Sequence, residues 1–280
     1  MNEFSFSFPH QAETMAATVH PAPGSDRGVV LLPGWGGTRY GPQRILVAAA
    51  RALAEAGRTS LRVDFRGRGD STGDPARVTL DGMIEDAVAA SQWLEREQGV
   101  RKVAWLGLCA GANVALGAAS LRPDVTEEVV AWSILPFMEH KEQAHGRHDK
   151  SKTELWKFYM KKAMDPEAWK KLVQGQANVR GAVRTLRKDK EGDEEERRRK
   201  TSRRDILKDL DAYRGRCLFI FGAAFFQARL QRQGISHEIQ WIPGAPHNFY
   251  TVEWTRRVIR LTVDWLKSPE STLNSSRTGL

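Results

Sequence analysis

The sequence contains little cysteine and no long apolar segment. Only Cys109 and Cys217 occur among 280 residues. Two cysteines cannot form the disulfide framework of a small secreted domain, and no Cys/His spacing matches a zinc site. No apolar run reaches the roughly 20 residues needed to cross a bilayer. The N-terminus also lacks the basic start and apolar core of a signal peptide. We therefore expect a cytoplasmic protein with no metal or other cofactor.

Charge is balanced everywhere except in one segment. The net charge is +9. Residues 141–216 contain 23 Lys/Arg against 14 Asp/Glu, whereas the rest of the chain contains 20 of each. Since the excess belongs to one module, the pattern argues against nucleic-acid binding by the remainder.

Outside that segment, apolar strand signals alternate with amphipathic helix signals. Strands are predicted at residues 4–8, 13–20, 29–32, 60–65, 102–106, 129–135, 217–221 and 237–242. Helices are predicted at 43–56, 80–98, 110–121 and 252–267. Short connections between alternating strands and helices indicate an α/β fold with a doubly wound, mostly parallel sheet. We expect a core domain of residues 1–136 and 213–267.

The regular alternation stops after Pro136. We predict that the basic, aromatic residues 137–212 form an inserted helical lid, and that the polar residues 268–280 are a disordered tail. The lid face is suited to clamping an acyl chain, or to weak contact with an anionic membrane or a glycan. An equally good interpretation is that its aromatic residues pack on the core while its charges face water.

The segment with the clearest chemistry is Gly107-Leu108-Cys109-Ala110-Gly111. It lies between a predicted strand and an alanine-rich helix, which is the context of a nucleophile elbow. The N-terminus of a helix lowers a thiol pKa and favours the thiolate, so Cys109 is a candidate nucleophile. The alternative is a buried structural cysteine in an ordinary strand-to-helix turn. For Cys217, within a predicted strand, a core position is expected.

Two further loops fit the same chemistry. Pro33-Gly34-Trp35-Gly36-Gly37 follows the first central strand, where an oxyanion loop belongs, and by position the donors would be the Trp35 and Ala110 amides. Alternatively, these glycines only form a tight turn. His247, in Gly244-Ala-Pro-His-Asn-Phe249, precedes the last helix and is placed to act as the general base.

With these motifs the chain resembles the α/β-hydrolase superfamily over most of residues 10–267. The Gly-Leu-Cys-Ala-Gly elbow, the Pro-Gly-Trp-Gly-Gly loop and the His247 loop match in type and order. The turn Asp64-Phe-Arg-Gly-Arg-Gly-Asp-Ser71 is similar to a structural turn of that superfamily. The cysteine elbow and tryptophan-rich insertion most resemble hydrolases associated with bacterial exosortase and exopolysaccharide systems.

The catalytic acid departs from this resemblance. Superfamily members usually have Asp in a Gly-x-x-Asp context after the penultimate strand, whereas Phe225 stands at that position here. Losing this acid can cost orders of magnitude in rate. Glu139 is the first candidate to replace it, and Glu142 a weaker one. Alternatively, a thiolate–imidazolium pair needs less help from a carboxylate, or activity has been lost.

These features predict a hydrolase of small carboxylic esters or thioesters. Cys109 would form the acyl-enzyme, His247 would move the proton and Glu139 would orient the histidine. Two alternatives remain open. One is an acyltransferase, because the Gly-x-Cys-x-Gly elbow is also that of polyhydroxyalkanoate synthases. The other is a catalytically impaired binding protein on this fold.

Overall fold

The structure is a computed structural model, and it describes residues 3–134, 195, 198–203, 213, 215–222 and 237–268. The chain forms two compact units, one of residues 1–136 with 202–280 and one of residues 137–201. The second unit is described only at residues 195 and 198–201. Most of the predicted lid, and all but the first residue of the predicted tail, lie outside the described residues, so both stay predictions.

The first unit is built on a twisted sheet with helices between its strands. The strands are β1 (Phe4–His10), β2 (Glu13–His20), β3 (Arg27–Leu32), β4 (Thr59–Val63), β5 (Lys102–Leu108), β6 (Thr126–Trp132), β7 (Arg216–Phe221) and β8 (His237–Trp241). The α-helices of the described part are α1 (Ile45–Glu55), α2 (Leu80–Gln98), α3 (Ala110–Leu121) and α4 (Val252–Lys267). No helix of this part is long and apolar enough to cross a membrane.

The eight strands lie in the order β1-β2-β4-β3-β5-β6-β7-β8. β1 pairs with β2 and β2 with β4 in antiparallel fashion, and all other neighbours are parallel. The predicted doubly wound, mostly parallel sheet is therefore confirmed. Its parallel strands all end at one edge, which in open α/β sheets is the edge where ligands bind.

Burial explains why the central strands are apolar throughout. Residues Val29 to Leu32 are completely buried, as expected for a strand covered by helices on both faces. Trp105 and Trp132 fill the layers beside them, and the indole N–H of Trp132 donates to Thr262 Oγ1 of α4 at 2.9 Å. The core therefore holds β5, β6 and α4 in fixed positions.

Two predicted elements are displaced. β6 was predicted at 129–135 but spans Thr126–Trp132, because its polar first half is buried and paired in the sheet. The predicted helix 43–56 starts at Ile45, since Gln43 (φ 48°) and Arg44 (φ 60°) both have left-handed backbone conformations. Burial and backbone geometry override local propensity at both positions.

His20 on β2 makes the fold sensitive to acid. Its ring is fully buried, and its Nε2 accepts a hydrogen bond from Arg62 Nε at 3.0 Å. Burial, together with the positive charge of Arg62, lowers the pKa of His20 to about 4. The Glu3 carboxylate, 3.4 Å from Nδ1, raises the pKa of His20 but does not offset the effects of burial and Arg62.

We expect the folded state to lose about 3 kcal/mol of stability as the pH falls from 6.5 to 4 through this residue. Over that window the unfolded chain binds a proton at His20 and the folded chain does not, so stability is complete above it. Urea unfolding at a series of pH values measures the loss. His20→Gln keeps an acceptor for Arg62 and should lack this contribution, and equal pH dependence in both proteins would contradict the assignment.

Candidate active site

A strained turn joins β5 to α3 at the functional edge of the sheet. Cys109 caps the N-terminus of α3 with φ 59° and ψ −117°, a combination that non-glycine residues rarely adopt. Its amide donates to the Trp132 carbonyl of β6 at 2.9 Å, and its carbonyl accepts from the Ala112 amide at 3.1 Å. The cysteine side chain is partly exposed. The turn therefore lifts this side chain out of the strand direction.

The glycines on either side allow the turn to be this tight. A Cβ on Gly107 would lie 2.1 Å from the carbonyl oxygen of Gly111. A Cβ on Gly111 would lie 2.3 Å from the carbonyl oxygen of Leu32, at the end of β3. Because both obstacles are backbone atoms, no side-chain rotation relieves them. The first turn of α3 thus packs directly against β5 and β3.

The loop after β3 lies beside the cysteine. A Cβ on Gly34 would be 3.5 Å from the Cβ of Cys109. The Gly37 amide donates to the Gly34 carbonyl at 2.9 Å, which closes the loop into a turn around the half-buried Trp35. The structure therefore places the predicted oxyanion loop, the predicted nucleophile and the first residue of α3, Ala110, in one small region.

The histidine loop between β8 and α4 lies at the same edge of the sheet. His247 is exposed, whereas Ala245 and Phe249 on either side of it are buried. The ring centroids of Phe249 and Trp132 lie 6.4 Å apart in an edge-to-face arrangement. The Phe249 carbonyl accepts a hydrogen bond from Thr255 Oγ1 at 2.8 Å. Cys109 packs against the apolar cluster that contains Ala245 and Phe249. The loop is thus anchored to β6 and α4 through Phe249, two residues after the histidine.

Sequence reasoning missed one unusual residue next to the elbow. Ser133 follows β6 with φ 46°, is 5% exposed, and has a buried hydroxyl with no hydrogen-bond partner in the described part of the chain. Its amide donates to the Ile220 carbonyl at 2.8 Å. A strained residue with an unsatisfied buried hydroxyl is costly and is typical of functional regions. The only signal in the sequence is a polar residue inside an apolar run.

The residues predicted as candidates for the acid are not among those that the structure describes. Glu139, Glu142 and Phe225 all lie outside them, so the assignment of Glu139 stays a prediction. Among the described residues no cluster of three or more His, Cys, Asp or Glu side chains could hold a metal. Cys217 is fully buried in β7, and burial raises the pKa of its thiol to about 12. The two cysteines therefore differ sharply in accessibility.

Comparison with known proteins agrees with this fold. The family model described as alpha/beta hydrolase fold matches residues 28–152. The human protein ABHD12B is 37% identical over 71 residues, which are 25% of this chain and 19% of that protein. The matched part is thus about a fifth of the human protein.

Solved structures match over nearly the whole chain. The dienelactone hydrolase from Anabaena variabilis has a TM-score of 0.61 at 18% identity, covering 95% of this chain and 96% of that one. Est1E from Butyrivibrio proteoclasticus, solved with ferulic acid bound, has a TM-score of 0.63 at 15% identity, covering 93% and 97%. The chain has the alpha/beta-hydrolase fold, which the family model matches over residues 28–152.

Proposed function

We propose that the protein hydrolyses small carboxylic esters or thioesters through an acyl-enzyme on Cys109. The observation that carries the proposal is the backbone of Cys109, held at φ 59° and ψ −117° at the start of α3. Such strain persists only where the surrounding packing enforces it, and it presents the thiol beside the Gly34 loop. A merely structural cysteine does not need this conformation.

The reaction follows from the groups gathered at this edge. The Cys109 thiolate attacks the acyl carbon, a C–S bond forms, and the carbonyl electron pair moves to oxygen. The amide N–H groups of Trp35 and Ala110 donate hydrogen bonds to the oxygen on which the negative charge develops. His247 protonates the departing alcohol or thiol as the C–O or C–S bond breaks. The same imidazole then takes a proton from a water molecule while the water oxygen attacks the acyl carbon. The C–S bond to Cys109 breaks and the proton passes from the imidazole to the sulfur, which gives the acid and the free thiol. No cofactor is required.

The substrate class is supported by the structural neighbours. One of them is named a dienelactone hydrolase, and the other was solved with ferulic acid. Dienelactone and ferulic acid are both small organic molecules, which favours a small ester as the substrate of this chain. The strained cysteine and the oxyanion loop favour acyl transfer chemistry over pure binding.

The proposal assigns Glu139 as the acid that orients His247. It is the first carboxylate after β6, the strand whose last residue, Trp132, contacts the histidine loop through Phe249. In the variant Glu139→Gln we expect acylation to slow by roughly a hundredfold, because the histidine loses its partner. Glu142→Gln serves as the matched control, and wild-type acylation in Glu139→Gln would remove Glu139 from the site.

Intact-mass spectrometry with an activated ester tests the proposed function. Wild-type protein treated with p-nitrophenyl acetate should gain one acetyl group on Cys109 and lose it again in buffer. Cys109→Ala should gain none, and Cys217, buried with a raised thiol pKa, should not compete. If no activated ester acylates Cys109, the proposal is wrong. Deacylation only after addition of an alcohol or thiol acceptor would identify a transferase instead.

A further inference from the structure

The oxyanion loop is fastened to a neighbouring turn at two points. Arg68 Nε donates to the Trp35 carbonyl at 3.1 Å. Asp64 Oδ1 accepts from the Arg39 amide at 2.6 Å, a few residues further along the same loop. Both partners belong to the turn of residues 64–71, which joins β4 to α2. The loop is therefore supported from outside as well as by its own hydrogen bond between Gly37 and Gly34.

The turn that provides this support is itself rigid. Asp64 is fully buried, and its carboxylate also accepts from the Asp70 amide at 3.0 Å. Ser71 Oγ donates to the Asp64 carbonyl at 2.7 Å and accepts from the Ala16 amide of β2 at 2.8 Å. These bonds fix the turn to the sheet. A side chain that reaches from this turn to the loop can therefore hold the loop in one position.

The two arginines of the turn have different partners. Arg66 contacts Asp86 of α2 through its side chain, and its amide donates to the same carboxylate at 2.9 Å. Arg68 bonds to carbonyl oxygens, those of Trp35 at 3.1 Å and Gly67 at 3.2 Å. Arg66 thus secures the turn to a helix, whereas Arg68 reaches the loop that faces Cys109.

Trp35 needs such a tether because of its neighbours. It lies between Gly34 and Gly36, and residues without a Cβ leave the backbone unusually free. The carbonyl and the amide of Trp35 belong to successive peptide units joined at one Cα. Fixing the carbonyl therefore restricts the direction in which the amide N–H points. A charged donor makes a stronger hydrogen bond to that carbonyl than a neutral one would.

We propose that Arg68 is a positioning residue that aims the Trp35 amide at the oxyanion formed during acylation of Cys109. This inference rests on the proposed function and extends it. Among the described contacts, the Arg68 guanidinium donates to backbone carbonyl oxygens, including that of Trp35. It acts only in the step in which the carbonyl electron pair moves to oxygen, so its removal should slow acyl transfer and leave simple alkylation of the thiol unchanged.

Two reactions of Cys109 separate these effects. Acetylation by p-nitrophenyl acetate passes through an oxyanion, whereas alkylation by iodoacetamide displaces iodide at a saturated carbon and does not. For Arg68→Met we expect acetylation to slow by roughly tenfold to a hundredfold, less than the loss from deleting a donor outright. Alkylation should keep its wild-type rate. Arg68→Lys, which restores one charged donor, should recover part of the acetylation rate.

Arg66→Met is the matched control, because it removes an arginine from the same turn without touching the loop. It should lower stability, since buried Asp86 loses a partner, yet keep the wild-type ratio of acetylation to alkylation. Amide hydrogen exchange provides a second measurement that needs no ester. Exchange in residues 33–39 should quicken in Arg68→Met and stay unchanged in Arg66→Met.

The outcomes distinguish this inference from the proposed function. If wild-type protein is alkylated but never acetylated, the proposed function fails and the role of Arg68 fails with it. If wild-type protein is acetylated and Arg68→Met reacts equally fast, only the role of Arg68 is overturned. An equal slowing of acetylation and alkylation in Arg68→Met also overturns it, because the arginine would then shape the cysteine rather than the oxyanion loop.

Discussion

Replacing Cys109 or His247 with alanine is expected to lower kcat/KM for an activated ester by about 10⁴-fold, and replacing both should cost little more than either alone. A nucleophile and its general base act as one unit. Once either side chain is deleted, the other no longer contributes to the rate, so the second deletion adds little. The pair is held by separate elements, Cys109 by the start of α3 and His247 by the loop anchored through Phe249. Initial rates of ester cleavage by wild-type protein, the two single variants and the double variant measure the coupling between Cys109 and His247.

Cys217→Ala is the control for this cycle. It removes the other cysteine, which is buried in β7, and should cost roughly 1 kcal/mol of stability while leaving turnover intact. Losses that multiply in the double variant would show that Cys109 and His247 act independently. Such a result would contradict the proposed pair even if each single loss were large.

Gly111→Ala should destabilise the fold by about 3 kcal/mol or more, and should abolish turnover in whatever protein remains folded. The added methyl group would lie 2.3 Å from the carbonyl oxygen of Leu32 and 2.5 Å from that of Pro33. Relief requires α3 to move away from β3, and that movement displaces Cys109 from the oxyanion loop. Thermal unfolding and the rate of Cys109 alkylation together measure both consequences.

Gly117→Ala provides a comparison within the same helix. The three atoms nearest to its methyl group would all belong to the buried Ile84 side chain, with Cδ1 at 2.4 Å and Cγ1 at 2.8 Å, and a side chain can shift where backbone cannot. Alanine also gains roughly 1 kcal/mol over glycine in a helix interior, which offsets part of the clash. We expect a smaller loss of stability than for Gly111→Ala, and normal alkylation of Cys109. If the two substitutions lower stability and Cys109 alkylation equally, the close packing at Gly111 is not what holds the elbow in place.

The elbow could be predicted from the sequence because every requirement is local. An apolar strand, two flanking glycines and an alanine-rich helix are consecutive, and α3 begins and ends where its sequence pattern indicates. The same holds for α2 and α4, each of which starts after a threonine whose side chain accepts a backbone hydrogen bond. The parallel direction of the central strands followed from the alternation of strands and helices, since parallel strands need crossovers.

Other features could not be predicted, because they depend on contacts between distant segments. The bond from Arg68 to Trp35 spans 33 positions and has no sequence pattern. The left-handed Ser133 reflects the register of β6 against β5 and β7 rather than its own propensity. The start of β6 was misplaced for a related reason. Thr126 and Glu128 are polar yet buried, with Thr126 accepting the Trp105 indole N–H and Glu128 pairing with Arg58 and Arg216.

The anchoring of the histidine loop has a consequence for how the protein would fail on heating. The loop is held by α4 through Thr255 and by β6 through Trp132, whose indole is in turn bonded to Thr262 of α4. The elbow depends on β3, β5 and α3, and on the backbone carbonyl of Trp132 in β6. Partial opening of the C-terminal helix would therefore separate base from nucleophile while the central sheet stays intact. Any ester turnover would then be lost at a lower temperature than the structure of the elbow.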